Sequence, residues 1–229
     1  MKKRLFSSIL AAAMLLSVVG CSSTPSHSSS QSTNEASSSV PSSASNAEGE
    51  VVIPDDFPES VTYTGTGDDV ITLEPFEGVW VMTITGNDQA AHFAVKGYDA
   101  GGNYTDLFVN TTEPYCGTTI DPYFETETLE VSATGTWKVE IRSIFEMDTI
   151  AQGETYSGNG DAILLATSFG KTARIVGNPN SNHFAVKSYG DTYELLVNTT
   201  DPYEGTVMLK GNPTVLAITA ESDWSITFN

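Results

Sequence analysis

Cysteine, histidine and positive charge are all scarce in this chain, and each shortage removes a class of function. Two cysteines, Cys21 and Cys116, and three histidines, His27, His92 and His183, are too few and too scattered for a zinc cluster or a nucleophile–base pair. Ten Lys+Arg stand against 29 Asp+Glu, which excludes a reader of the nucleic-acid backbone, since that task needs clustered cations. Beyond residue 20 no window carries a sustained helical stripe. No cofactor, no metal and no nucleic acid are therefore expected, and the chain is expected not to be an enzyme.

What is present begins with a sorting signal. Lys2, Lys3 and Arg4 precede an apolar run from Leu5 to Val19, which has the length of a signal h-region and is too short and too rich in Ser and Ala to span a bilayer. The run ends Val18-Val19-Gly20-Cys21. This resembles the lipobox of bacterial lipoproteins, which implies cleavage before Cys21, lipidation (palmitate-type) of its sulfur, and a protein anchored on the extracellular face of the cell membrane. Loss of Lys2, Lys3 and Arg4 leaves 7 basic residues against 29 acidic ones, a net charge of −22, which opposes electrostatic adhesion to anionic lipid. With Cys21 acylated, only Cys116 remains, so no disulfide within the chain is expected. From Ser22 to Glu50, 13 of 29 residues are Ser; such a stretch buries too little to order itself and reads as a disordered stalk.

The remainder is written twice. His92–Thr118 and His183–Thr206 share HFAVK, NTT, PY and GT in the same order. Each copy opens with Tyr-x-Gly-x-Gly-Asp, at Tyr63–Asp68 and Tyr156–Asp161, and closes around a Trp, Trp137 or Trp224. The offset between copies shrinks only from 93 to 87 along the repeat, as for one scaffold with trimmed loops. The organisation read from this is a lipoprotein signal peptide at 1–20, the lipidated Cys and Ser-rich linker at 21–50, and β-sandwich modules at 51–145 and 152–229. Segments such as VWVMTIT, HFAVKGY, TLEVSA and WKVEIR are short and β-branched, with Gly, Asn, Asp and Pro between them. The fold class expected is all-β, two tandem antiparallel sandwiches of jelly-roll type.

A two-residue Gly190-Asp191 turn predicts a hairpin pairing Lys187 with Glu194, Val186 with Leu195, Phe184 with Val197 and His183 with Asn198. Carried to the first copy, Lys96 pairs with Asp106, Val95 with Leu107, Phe93 with Val109 and His92 with Asn110. The apolar set faces inward. His92, Lys96, His183 and Lys187 then form a polar stripe, read either as ligand contacts or, preferentially, as a solvated face with an ion pair. Asn110 with Tyr115, and Asn198 with Tyr203, are read as turns before sugar contacts. Asp68 and Asp69 are too few for calcium. Trp137 and Trp224 read as core anchors. Trp80 has no aromatic counterpart in the second copy and is the candidate exposed platform for stacking on a ligand.

The pattern Y-x-G-x-G-D … F-A-V … V-N-T … P-Y-x-G-T … W resembles an all-β module of secreted and lipid-anchored proteins of Gram-positive bacteria. It is loosely similar to pre-peptidase C-terminal and carbohydrate-binding-like sandwiches. That resemblance implies no catalytic residues. It implies a surface lipoprotein whose modules bind an extracellular ligand, a glycan or cell-wall component first; the alternatives are a scaffold docking another surface protein and, third, an enzyme with a site between the modules.

Overall fold

The computed structural model describes residues 53–54 and 56–229; the signal, Cys21 and the Ser-rich stalk lie outside the described residues. In the first module the strands are β1 (Val61–Thr66), β2 (Asp69–Thr72), β3 (Trp80–Gly86), β4 (Phe93–Tyr98), β5 (Tyr104–Thr111), β6 (Tyr115–Thr119), β7 (Thr128–Ser132) and β8 (Thr136–Ser143). They form two four-stranded antiparallel sheets, β1-β8-β3-β6 and β2-β7-β4-β5. The second module has β9 (Thr149–Ile150), β10 (Thr155–Asn159), β11 (Ala162–Ala166), β12 (Thr172–Gly177), β13 (Phe184–Tyr189), β14 (Glu194–Thr199), β15 (Tyr203–Met208), β16 (Val215–Thr219) and β17 (Asp223–Phe228). Its sheets, β10-β17-β12-β15 and β14-β13-β16-β11-β9, repeat the same order with β9 added in parallel beside β11. The all-β, jelly-roll expectation holds in both copies.

Alternation builds each core. Trp137, Val139 and Ile141 on β8 are buried in turn and meet Phe93, Val95 and Val131 from the facing sheet; Trp224, Ile226 and Phe228 do the same for Phe184, Val186 and Ile218. The opening motif is explained by these tryptophans. A Cβ on Gly65 or Gly158 would overlap the indole of Trp137 or Trp224. The second glycine of each motif has positive φ, +76° at Gly67 and +73° at Gly160. Its carbonyl accepts the indole N–H at 2.9 Å in both modules. The Asp that follows takes a backbone N–H from the end of the neighbouring strand: Asp68 from Ala133 at 2.9 Å, Asp161 from Ala220 at 2.8 Å. The whole motif is a clasp on the Trp.

The duplicated hairpin differs from its expected register by two residues up to Val95 and Val186 and by one beyond them, where Lys96 faces Leu107 and Lys187 faces Leu195. Phe184 faces Thr199 and Val186 faces Val197; Phe93 faces Thr111 and Val95 faces Val109. The turn after β13 uses Gly190–Tyr193, because Asp191 N–H donates to the Gly211 carbonyl and Asn212 Nδ2 to Asp191 Oδ2 at 2.7 Å. A β-bulge after Val95, and another after Val186, then reverses the side-chain faces. Leu107, expected inside, is exposed, and Phe108 takes the core position.

The segment between modules is a fixed elbow. A single 3₁₀ turn at Ile144–Glu146 is closed by a capping box: Ser143 Oγ accepts the Phe145 N–H, and Glu146 accepts the Ser143 N–H. β9 already belongs to the second module's sheet, so that module begins before residue 152.

Candidate functional site at the module junction

The elbow presses the two sandwiches together. Val81, Ile120, Ile144 and Met147 from the first side and Ile163, Leu165 and Val215 from the second make a third, separate buried cluster. Beside it the Tyr115 hydroxyl donates to Asp161 Oδ2 at 2.7 Å, and the Thr118 N–H donates to the Asp161 carbonyl at 3.0 Å. Burial, and then the Asp161 carboxylate, push the Tyr115 phenol well above its usual range, so it stays a donor. Burial also raises the Asp161 carboxyl, against the hydrogen bonds from Tyr115 and Ala220 that lower it.

A cleft of about 510 Å³ opens next to this contact, reached by Thr83, Arg142, Asp148, Asn159 and Asp161. Its polar groups are mostly committed to the protein. Asp148 accepts the Tyr156 hydroxyl at 2.6 Å, and burial with that bond pushes the phenol upward. Arg142 Nη2 lies 3.9 Å from Met147 Sδ, while its buried Nε has no hydrogen-bond partner among the described residues. Both carboxylates are thus braced by tyrosine hydroxyls. Among the described residues no group of three or more His, Cys, Asp or Glu could hold a metal ion.

On the hairpin ends the aromatic residues collect. Tyr104 (57% exposed) meets Tyr98 edge-on at 6.3 Å, and Tyr193 (58% exposed) meets Tyr189 at 5.5 Å. The two pairs occupy corresponding places in the two modules. Groups of the first module reach the second pair: Tyr193, and Asp106, Tyr123 and Asp121 of the first module, act electrostatically on the Tyr189 phenol, which burial chiefly raises to about 12. Tyr123 is 78% exposed. Asp106 acts on the Tyr104 phenol as well, so tyrosines of both modules lie around one carboxylate, and they are called the tyrosine band below. Aligning Tyr98 with Tyr189 at the hairpin offset was the signal that could have found it; the bulge hides the second pair.

The residues expected to contact ligand are not gathered into one site. Trp80 is buried, 7% exposed, in the first core with its ring 5.7 Å from Phe124; it offers no platform. A large apolar ring in a strand that borders the core is drawn inside. Lys96 pairs with Glu130 on β7 at 2.8 Å, not with Asp106, because Glu130 lies directly opposite in the register. Lys187 faces Ala217 there, and Glu194 pairs instead with Lys210 at 3.4 Å. His183 does meet Asn198, at 3.1 Å, although the strand register differs; His92 is exposed at the start of β4. Tyr115 and Tyr203 lie against Phe93 and Phe184 at 6.4 and 6.5 Å. Cys116 is disulfide-bonded, against the expectation of no disulfide; Cys21, the other cysteine of the sequence, lies outside the described residues.

No protein-family model and no curated protein match the sequence. Among solved structures the chain is similar to "The structure of the M60 catalytic domain with the CBM51-1 and CBM51-2 domains from Clostridium perfringens ZmpB", at 8% identity and a TM-score of 0.22. The match covers 75% of this chain and 34% of that one, so the chain spans about a third of its length. A likeness of that extent bears on neither ligand nor activity.

Proposed function

We propose that the chain is a non-catalytic surface lipoprotein whose paired jelly rolls bind an extracellular glycan or cell-wall component along the tyrosine band. The observation that carries this reading is the exposure of Tyr104, Tyr123 and Tyr193, together with Asp106, which acts on both the Tyr104 and the Tyr189 phenols. Phenol faces stack on the apolar side of a sugar ring, and carboxylates accept from its hydroxyls. The cleft acids favour a structural role over a catalytic one, since each already holds a tyrosine hydroxyl.

A glycan and peptidoglycan panel tests this directly. Tyr104→Ala and Tyr193→Ala should each weaken binding by roughly tenfold, about 1.4 kcal/mol, without loss of fold because both rings are exposed. No binding across the panel rejects the reading; recovery of one stoichiometric protein partner selects the docking alternative. The membrane anchor rests on the sequence at Cys21. The intact mass of the membrane-fraction protein tests acylation: the mass of the chain from residue 21 plus lipid is expected, and an unlipidated mass rejects the anchor.

A further inference from the structure

The contact between the modules is a heterologous one, and the chain carries a second, unmated copy of each half. The donor half is the β6 edge of the first module: Tyr115 reaches Asp161, and Ile120 enters the junction cluster. The corresponding residues on β15 are Tyr203 and Met208. Tyr203 is held as Tyr115 is: its ring lies 6.5 Å from Phe184 at 48°, against 6.4 Å and 50° for Tyr115 on Phe93. Its hydroxyl sits over Gly205 as that of Tyr115 sits over Gly117. The acceptor half is Asp161 and Ile163; the corresponding residues of the first module are Asp68 and Val70. Asp68 Oδ1 takes the Ala133 N–H as Asp161 Oδ1 takes that of Ala220. Its second oxygen has no partner among the described residues.

The apolar members of these unmated halves are left in water. Ile120 and Ile163 are buried at the junction, whereas Met208 is 59% and Val70 64% exposed. Met208 lies with Leu195 and Val207 on an open groove of about 370 Å³. Where the copies differ inside the contact, one pair of differences is complementary. Thr83 and Ala162 both line the inter-module cleft; their counterparts are Arg174 and Asp69, of opposite charge, although Arg174 also pairs at 2.6 Å with Glu204, which stands where Cys116 lines the cleft. We infer that the β15 edge of one molecule docks on the β1–β2 corner of a second copy of this chain, repeating the internal junction between molecules. Tyr203 donates to Asp68 of the next copy and Met208 covers its Val70. Such a contact does not close on itself, so it builds rows and not pairs. It lacks the elbow's Ile144 and Met147, and both copies are acidic, so it is weak in dilute solution and strengthens as salt screens the net charge.

Sedimentation velocity on the chain from residue 21 onward, carrying Cys21→Ser and kept under reductant, tests this. The weight-average mass should rise with concentration past the dimer. Val70→Glu and Met208→Glu should each abolish that rise, and both side chains are exposed, so folding, checked by circular dichroism, is preserved. Mixing the two variants is decisive, because each retains the half the other lacks: the mixture should form one dimer and stop. A monomer at every concentration, association untouched by either variant, or a mixture that stays monomeric would each overturn the inference.

Discussion

The Tyr115–Asp161 bond can be weighed against a control that the chain itself provides. Tyr115→Phe removes one hydroxyl and leaves a largely buried carboxylate oxygen without its 2.7 Å donor. Hydrogen bonds to charged groups are worth about 1.5–3 kcal/mol net, and leaving a buried partner unsatisfied costs in that range. Tyr203→Phe removes the same atom from a ring packed the same way, but that hydroxyl has no partner among the described residues, so its cost is close to zero in dilute protein. Because the elbow and the junction cluster join the modules, they are expected to unfold together. For a cooperative unit of 150–250 residues, 1 kcal/mol moves Tm by about 2–4 °C. Tyr115→Phe should therefore lower Tm by about 3–12 °C, and Tyr203→Phe by about 1 °C or less. A scan of Tyr115→Phe that splits into two transitions would mean the bond also couples the modules. Equal effects of the two substitutions, within about 0.5 kcal/mol in urea unfolding, would refute the claim that this bond fastens the junction.

Two further outcomes follow from the same geometry. Burial raises Asp161 above its ordinary 3.8, so the folded state binds its proton more readily than the unfolded one. Stability from this group is therefore gained as pH falls through the folded pKa toward 3.8 and lost as pH rises. Comparing wild type with Asp161→Asn by urea unfolding across acid pH, the difference should tilt toward wild type as pH drops; a flat or opposite slope contradicts the assignment. Gly65→Ala and Gly158→Ala place a methyl inside the indole of Trp137 or Trp224 and should each cost about 2–3 kcal/mol or more. Gly102→Ala, where a Cβ meets nothing within 4 Å but φ is +77°, costs only the backbone strain, about 1 kcal/mol; equal losses at all three positions, measured by Tm, would discount the Trp clasp.

The fold was legible because duplication and alternation are both local signals. Phe93, Val95 and Val109, with Phe184, Val186 and Val197, read as an inward face and are one. The register failed at a bulge, which no period of two can announce, and at a turn whose length is decided by Gly211 and Asn212, some twenty residues away. The ion pairs failed for the same reason: Lys96 chose β7 over β5, and sequence gives no order of strands in a sheet. Trp80 was misread because uniqueness between copies suggested exposure, whereas its surroundings on β3 include the apolar packing of Phe124 from a loop.

Repetition also proves a poor guide to where these modules act. Nearly every residue that the copies share has a mechanical duty: Gly65 and Gly158 admit a Trp, Asp68 and Asp161 tie a neighbouring backbone, Tyr115 and Tyr203 cover a Phe. The same shared residues nevertheless give an asymmetric molecule. Two copies of one module joined head to tail share a single mated contact, and the elbow at Ile144–Met147 selects which halves are mated. Tyr115 is thereby bonded to Asp161, and Asp106 and Tyr123 come near enough to act on the Tyr189 phenol. The tyrosine band is a product of that joint. Neither module alone assembles it, so any ligand bound there reports on the junction, and Tyr115→Phe, remote from the band's exposed rings, should loosen ligand binding as well as the fold.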